Sequence, residues 1–200
     1  MKKTYKINEI FYSLQGEGYY SGEPAVFVRF SGCNLACPWC DTDHHNAQEM
    51  TAEEIVNAVK LAWPQQQENR PSDANPFVVL TGGEPAIQID ESLTLRLADE
   101  GFYVSIETNG TKELPEGIDW ITCSPKPDSV IRLKEADEVK VVFDGKTNPE
   151  RWRNEIHANN WFLQPLHDGK TSNVKETLDY ILTHPYWRLS LQTHKLLGIR

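Results

Sequence analysis

The segment Ala25–His45 reads AVFVRFSGCNLACPWCDTDHH. Its first seven residues are mostly β-branched or aromatic, the composition of a strand. The loop that follows at once carries Cys33, Cys37 and Cys40 in the spacing C-x3-C-x2-C, three of the chain's four cysteines. A strand that ends in a thiol-rich loop puts chemistry at its carboxyl end, where parallel α/β sheets keep it.

The same arrangement repeats outward from this segment. Further β-rich runs lie at Phe77–Leu80, Phe102–Glu107, Asp119–Thr122, Glu138–Phe143, Trp161–Gln164 and Trp187–Gln192. Helical patterns separate several of them. TAEEIVNAVKLAW starts with Thr51 and Glu54 in capping-box spacing, and its Ile55, Val59 and Ala62 share a face. DESLTLRLADEG brings Leu93 and Leu97 into phase and stops at Gly101. TSNVKETLDYILTHP aligns Val174, Leu178 and Ile181 and ends before Pro185. The polar, proline-bounded stretch Trp63–Pro76 reads as a surface loop. Strand–helix alternation predicts a parallel sheet with helices outside. At 200 residues the chain is short for eight βα units, which predicts an α/β partial (open) barrel of about six parallel strands in a single domain, 1–200.

Bulk properties narrow the function. Apolar content of 39% and charged content of 24% describe a globular protein. No apolar run reaches the ~20 residues that span a bilayer. MKKTYKINEIFYS has a basic start but no apolar segment, so no signal peptide and a cytoplasmic location are expected, with no membrane partner. In that reducing compartment clustered cysteines read as a metal or redox site rather than a disulfide framework. A net charge of −9 with no dense basic run argues against nucleic acid and for a small-molecule substrate.

Polar clusters follow strand after strand: the cysteines, TGGEP (Thr81–Pro85), TNG after FYVSIE, SPK (Ser124–Lys126), Gln164–Pro165, and QTH (Gln192–His194). Together they predict one functional rim. For the thiols several readings stay open. His44 or His45 could complete a Cys3His zinc site, which needs four closed ligands. A four-iron cluster held by three thiolates would keep one iron open, whereas an electron-transfer cluster would need Cys123 as a fourth ligand. Otherwise Cys123 reads as a small buried apolar residue.

C-x3-C-x2-C after one strand, with Trp39 before the last cysteine and Gly82-Gly83-Glu84-Pro85 after the next strand, resembles the radical S-adenosylmethionine (SAM) superfamily. The resemblance implies that Cys33, Cys37 and Cys40 hold a 4Fe-4S cluster whose open iron takes the amino and carboxylate groups of SAM. Reduction then splits the sulfonium into methionine and a 5′-deoxyadenosyl radical. NEIFYSLQGEGYYSGEPAVFVRFSGCNLACPWCDT resembles, more narrowly, the queuosine-pathway branch, which contracts 6-carboxy-5,6,7,8-tetrahydropterin to 7-carboxy-7-deazaguanine with loss of ammonia. A glycyl-radical-enzyme activase is the rival within the superfamily, and SLQGEG and QTH argue against it.

The branch implies substrate contacts at Leu14, Gln15, Gly16, Arg29, Thr81 and His194, and cofactor contacts at Gly83, Ser124, Pro125, Lys126, Gln164 and Pro165. It implies Mg2+ on Thr42, an electron donor such as flavodoxin, and a homodimer. Chemistry adds to this. Glu84 could accept from the methionyl ammonium, and Glu107 could bind the cofactor's methionyl or ribose part. Glu17 could accept from two neighbouring N–H groups of the pterin. Arg29 is the cation for the substrate carboxylate. By strand alternation it shares a face with Phe27, opposite Val26, Val28 and Phe30. Asp41 and Asp43 are tempting metal ligands but read better as a solvated turn. Lys140, in an apolar strand, either faces the barrel interior or snorkels.

Overall fold

The structure is a computed structural model that describes residues 2–40, 46–64, 75–167 and 172–200. Among these residues nine strands form one open sheet in the order β3-β1-β2-β4-β5-β6-β7-β8-β9. Strand β2 (Pro24–Phe30) pairs in parallel with β4 (Phe77–Gly82), which is followed across the sheet by β5 (Tyr103–Thr108), β6 (Trp120–Cys123), β7 (Glu135–Phe143), β8 (His157–Pro165) and the short β9 (Arg188–Leu189), all parallel. This is the expected partial barrel. It has been extended at one edge by two strands that the sequence did not announce, β1 (Thr4–Leu14) and β3 (Gln48–Thr51), both antiparallel to their neighbours.

A bulge hides β1. Its register against β2 shifts between Ile7 and Glu9. Before the shift Tyr5 and Ile7 enter the core under the helices, and after it Ile10 packs there. Glu9 and Phe11 then line the opposite, cavity face. One extra residue breaks the period of two, so no continuous alternation can be read from the sequence.

The helices cover the outer face. α1 (Ala52–Ala62) starts with the expected capping box: Glu54 N donates to Thr51 Oγ1 at 3.3 Å, and Thr51 N donates to Glu54 Oε2 at 2.7 Å. Its Ile55 and Val59, with Leu93 and Leu97 of α2 (Glu91–Asp99), pack on Val26, Val28, Phe30, Val78, Leu80, Val104 and Ile106. Each such side chain contributes roughly 1.5–3 kcal/mol when fully buried. α2 ends as read, with Gly101 at φ 83°. A second core joins β6, β7 and β8 to α3 (Arg151–Glu155) and α4 (Val174–Thr183) around Trp152, Trp161 and Trp187.

The expected stripe of α4 holds at Ile181, which packs on the second core, but not at Leu178. Leu178 is 38% exposed, and Thr177 is the helix's buried residue. The Thr177 hydroxyl donates to Asn173 O at 3.0 Å, so its polar atom is satisfied within the helix and its methyl can face the core. An apolar count skips such a residue. The proposed loop Trp63–Pro76 falls mostly outside the described residues.

Candidate functional site

A cavity of about 550 Å³ opens at the carboxyl ends of the parallel strands. The polar clusters after the strands all reach it: Cys33, Cys37 and Cys40; Thr81, Gly83 and Glu84; Glu107, Thr108 and Asn109; Ser124 and Lys126; Gln164 and Pro165; Gln192 and His194. Leu14, Gln15, Gly16, Glu17 and Arg29 line it from the β1–β2 side, and Trp39 stands beside Cys40. One expected site residue among the described ones does not. Pro125 is buried behind the wall, and Thr42 lies outside the described residues, as do Asp41, Asp43, His44 and His45.

The cysteine loop is fastened on three sides. Ser31 Oγ donates to Asn46 O at 2.6 Å across the loop's base. Gly83 N donates to Phe30 O, and Glu84 N to Gly32 O, both at 2.9 Å. Asn34, between the first two cysteines, donates through Nδ2 to Thr111 Oγ1 at 2.8 Å and accepts from Asn109 Nδ2 at 3.1 Å. Gly82 makes the close approach possible. It sits at φ 114°, and a Cβ there would collide with the backbone N and O of Phe30.

The thiols suit a cluster. Burial raises the Cys33 and Cys37 thiols, partly offset by the Leu35 N–H at Cys33 and by the Lys126 ammonium near Cys37. Among the described residues no three His, Cys, Asp or Glu groups are already drawn together as a metal site. The soft donor set on one loop beside an open cavity is nevertheless that of an iron–sulfur cluster with an open position. Cys123 does not line the cavity. It is fully buried in the second core, and burial pushes its thiol up to about 12. The fourth thiolate of an electron-transfer cluster is therefore not on this wall.

Glu84 is 1% exposed and its carboxylate is engaged by the protein. Oε1 accepts from Thr108 Oγ1 at 2.7 Å and Ala86 N at 3.0 Å, and Oε2 accepts from Asn109 N at 2.6 Å. Burial pushes Glu84 up, against these hydrogen bonds. The side chain thus ties the GGEP turn to the end of β5 in addition to facing the cavity. Lys126 donates to Ser124 O at 2.9 Å and Ser124 Oγ at 2.7 Å, and burial lowers it.

The opposite wall joins distant parts of the chain. Thr193 N and Oγ1 donate to Gly16 O at 3.0 and 2.9 Å, and a Cβ at Gly16 would run into the His194 ring. Gln15 Nε2 donates to Glu107 Oε1 at 2.9 Å, which puts Glu107 beside the Gln15–Glu17 stretch. Glu17 accepts from Gln192 Nε2 at 2.8 Å and from Lys140. Burial would raise Glu17, but the Lys140 ammonium and these hydrogen bonds hold it at about 2. Burial would likewise lower Lys140, but Glu107, Glu17 and Glu138 raise it well above the ordinary lysine range. Lys140 is 3% exposed and lines the cavity, so it faces the interior and does not snorkel.

Arg29 faces the cavity with Phe27, as alternation required, and is in register with Thr81 on the neighbouring strand. Its guanidinium lies 5.7 Å from the Phe11 ring. Sequence reasoning missed Glu9, Phe11 and Arg200 on this wall. Glu9 and Phe11 follow from period two only once the bulge in β1 is known.

A model of the Radical SAM superfamily matches residues 27–185. The chain is 50% identical to the 7-carboxy-7-deazaguanine synthase of Bacteroides thetaiotaomicron, covering 98% of both chains. It is 40% identical to that of Caulobacter vibrioides, covering 98% of this chain and 99% of the other. The crystal structure of QueE from Escherichia coli superposes with a TM-score of 0.68 at 27% identity, covering 94% of this chain and 93% of that one.

Proposed function

The chain belongs to the radical SAM superfamily, and from that premise we propose that it contracts 6-carboxy-5,6,7,8-tetrahydropterin to 7-carboxy-7-deazaguanine with release of ammonia, as a 7-carboxy-7-deazaguanine synthase. The full-length likeness to enzymes of that name supports the substrate. The observation that carries the reading is a shared space: the three thiols and Gly83–Glu84 face the same cavity as Gln15, Glu17 and Arg29.

In this reading Cys33, Cys37 and Cys40 hold the 4Fe-4S cluster. When bound, the cluster and SAM supply a hydrogen-abstracting radical. Gly83, Glu84, Ser124, Lys126, Gln164 and Pro165 hold the cofactor, with Pro125 buried behind them. Leu14, Gln15, Gly16, Glu17, Thr81 and His194 hold the pterin, and Arg29 takes its carboxylate as a planar donor. Mg2+ on Thr42, flavodoxin as reductant and a homodimer belong to the same proposal. Leu196 and Leu197, 75% and 64% exposed, support a partner surface.

The test is turnover under anaerobic conditions. Reconstituted protein, SAM, a chemical reductant and carboxy-tetrahydropterin are expected to yield a product of the mass of 7-carboxy-7-deazaguanine, with substrate hydrogen transferred to the deoxyadenosyl methyl group. Chelation is expected to stop turnover and added Mg2+ to restore it. A brown, SAM-cleaving protein that leaves the pterin unchanged would remove the proposed substrate.

A further inference from the structure

One buried cation has three carboxylate neighbours from separate parts of the chain. Lys140 projects from β7 with 4% of its side chain exposed. It donates to Glu17 Oε2, from the turn after β1, and lies 3.4 Å from Glu107 Oε2 at the end of β5. Glu138, two residues earlier on its own strand, is 3% exposed and accepts from Tyr19 N at 2.8 Å. The other oxygens of Glu17 and Glu107 are held by amides: Gln192 Nε2 on Glu17 Oε1 at 2.8 Å, and Gln15 Nε2 on Glu107 Oε1 at 2.9 Å. Gln15 also accepts from Glu17 N through Oε1 at 3.2 Å, which closes the ring of contacts. Lys126 and His194 complete the charged or titratable groups that act on this cluster.

Two carboxylates brought together in a dry site cannot both stay ionised without a cation between them. Neither would hold one direction without the amides. We infer that Lys140 is a positioning residue that draws Glu17 and Glu107 into one carboxylate pair, and that this pair receives the N–H-rich edge of the substrate heterocycle. The inference rests on the pterin reading above and deepens it, moving Glu107 from the cofactor to the substrate. A carboxylate accepts at two oxygens, and a 2-amino-4-oxopyrimidine presents adjacent N–H donors that match it. The geometry selects for an amidine-like or guanidine-like edge and against a heterocycle with only acceptors there. Once Lys140 is removed, the two acids share a proton, and the protonated member offers a donor where an acceptor is needed.

The test uses pterin-6-carboxylate, a stable fluorescent ligand that needs no radical chemistry, titrated into the protein from about pH 5 to about pH 7. Every profile is compared between Lys140 variants of the otherwise unmodified protein, so that His194 contributes equally to each. With Lys140 present, the profile is expected to be flat in the sense of showing no carboxylate titration across the range, because Glu17 stays ionised. Lys140→Met is expected to weaken binding roughly tenfold or more, and to weaken it further as the pH falls, because the unpaired acids take up a proton. Lys140→Arg is expected to restore the flat profile. A Lys140→Met protein with unchanged affinity and a flat profile overturns the inference while leaving the pterin reading intact. Should Lys140→Met not fold, a profile in the Lys140 protein that falls with acid as a carboxylate titrates overturns it equally. Failure of the Lys140 protein to bind pterin-6-carboxylate at any pH overturns the pterin reading, and the inference with it.

Discussion

Arg29 Nε donates to Glu9 Oε1 at 2.9 Å, and the second oxygen of Glu9 accepts from Arg200 Nη2 at the same distance. The guanidinium proposed for the substrate carboxylate is thus already paired, and an incoming carboxylate competes with Glu9. Glu9→Gln is expected to lower KM several-fold. Arg29→Ala is expected to raise KM roughly tenfold to a hundredfold, from the loss of a charge-assisted hydrogen bond worth about 1.5–3 kcal/mol. Affinities for pterin-6-carboxylate and for pterin without the carboxylate separate the effects. Only the carboxylated ligand should respond to Arg29→Ala.

Gly82 and Gly22 both have positive φ, at 114° and 97°, but only Gly82 is crowded. At Gly22 a Cβ meets nothing within 4 Å. Gly22→Ala is therefore expected to carry only backbone strain, about 1 kcal/mol. Gly82→Ala adds a collision with Phe30 backbone and should exceed about 3 kcal/mol. Thermal unfolding of the two proteins checks the order.

Acid sensitivity should trace to Glu17. Its carboxyl titrates at about 2 in the folded protein against an ordinary 4.5. A depressed carboxyl stabilises the fold above its unfolded value, and that contribution is lost as the pH falls from about 4.5 towards about 2. Glu84 and Glu138 are pushed up by burial and slope the opposite way, so the contrast must be made by substitution. Urea midpoints of the unmodified protein should drop more steeply between these pH values than those of Glu17→Gln.

The cysteines divide by location. Cys37→Ser is expected to lose bound iron with little change in the melting temperature of the iron-free protein, because the side chain is on the cavity wall. Cys123→Ser is expected to retain iron and to lose roughly 1–3 kcal/mol of stability, since a hydroxyl replaces a thiol in an apolar core. Iron analysis beside thermal unfolding of both variants gives the answer.

Much of this site was legible because parallel strands deliver successive loops to one rim. Once AVFVRFS is a strand, Cys33, Gly83, Glu107, Ser124, Gln164 and His194 are neighbours by topology, though up to 161 positions apart in sequence. What stayed hidden has physical causes. The bulge at Ile7–Glu9 concealed β1 and with it Glu9 and Phe11. Thr177 faces the core by satisfying its own hydroxyl, which a count of apolar residues ignores. The pairing of Glu107 with Gln15 depends on side-chain direction at a strand end, which spacing does not encode.

The two sides of the cavity that meet at Gly16–Thr193, Glu17–Gln192 and Ser13–Arg200 are joined by bonds spanning 175 to 187 positions. Such contacts are among the most non-local in the chain, and non-local pairing adds loop-closure entropy to folding. The chamber is therefore complete only when the carboxyl-terminal segment lies against the turn after β1. A species with every strand paired but residues 192–200 undocked would display its thiols while lacking the wall that Gln192 and His194 contribute. Iron delivery before that docking would expose a cluster to oxygen, so maturation is safest when the carboxyl-terminal segment has already latched.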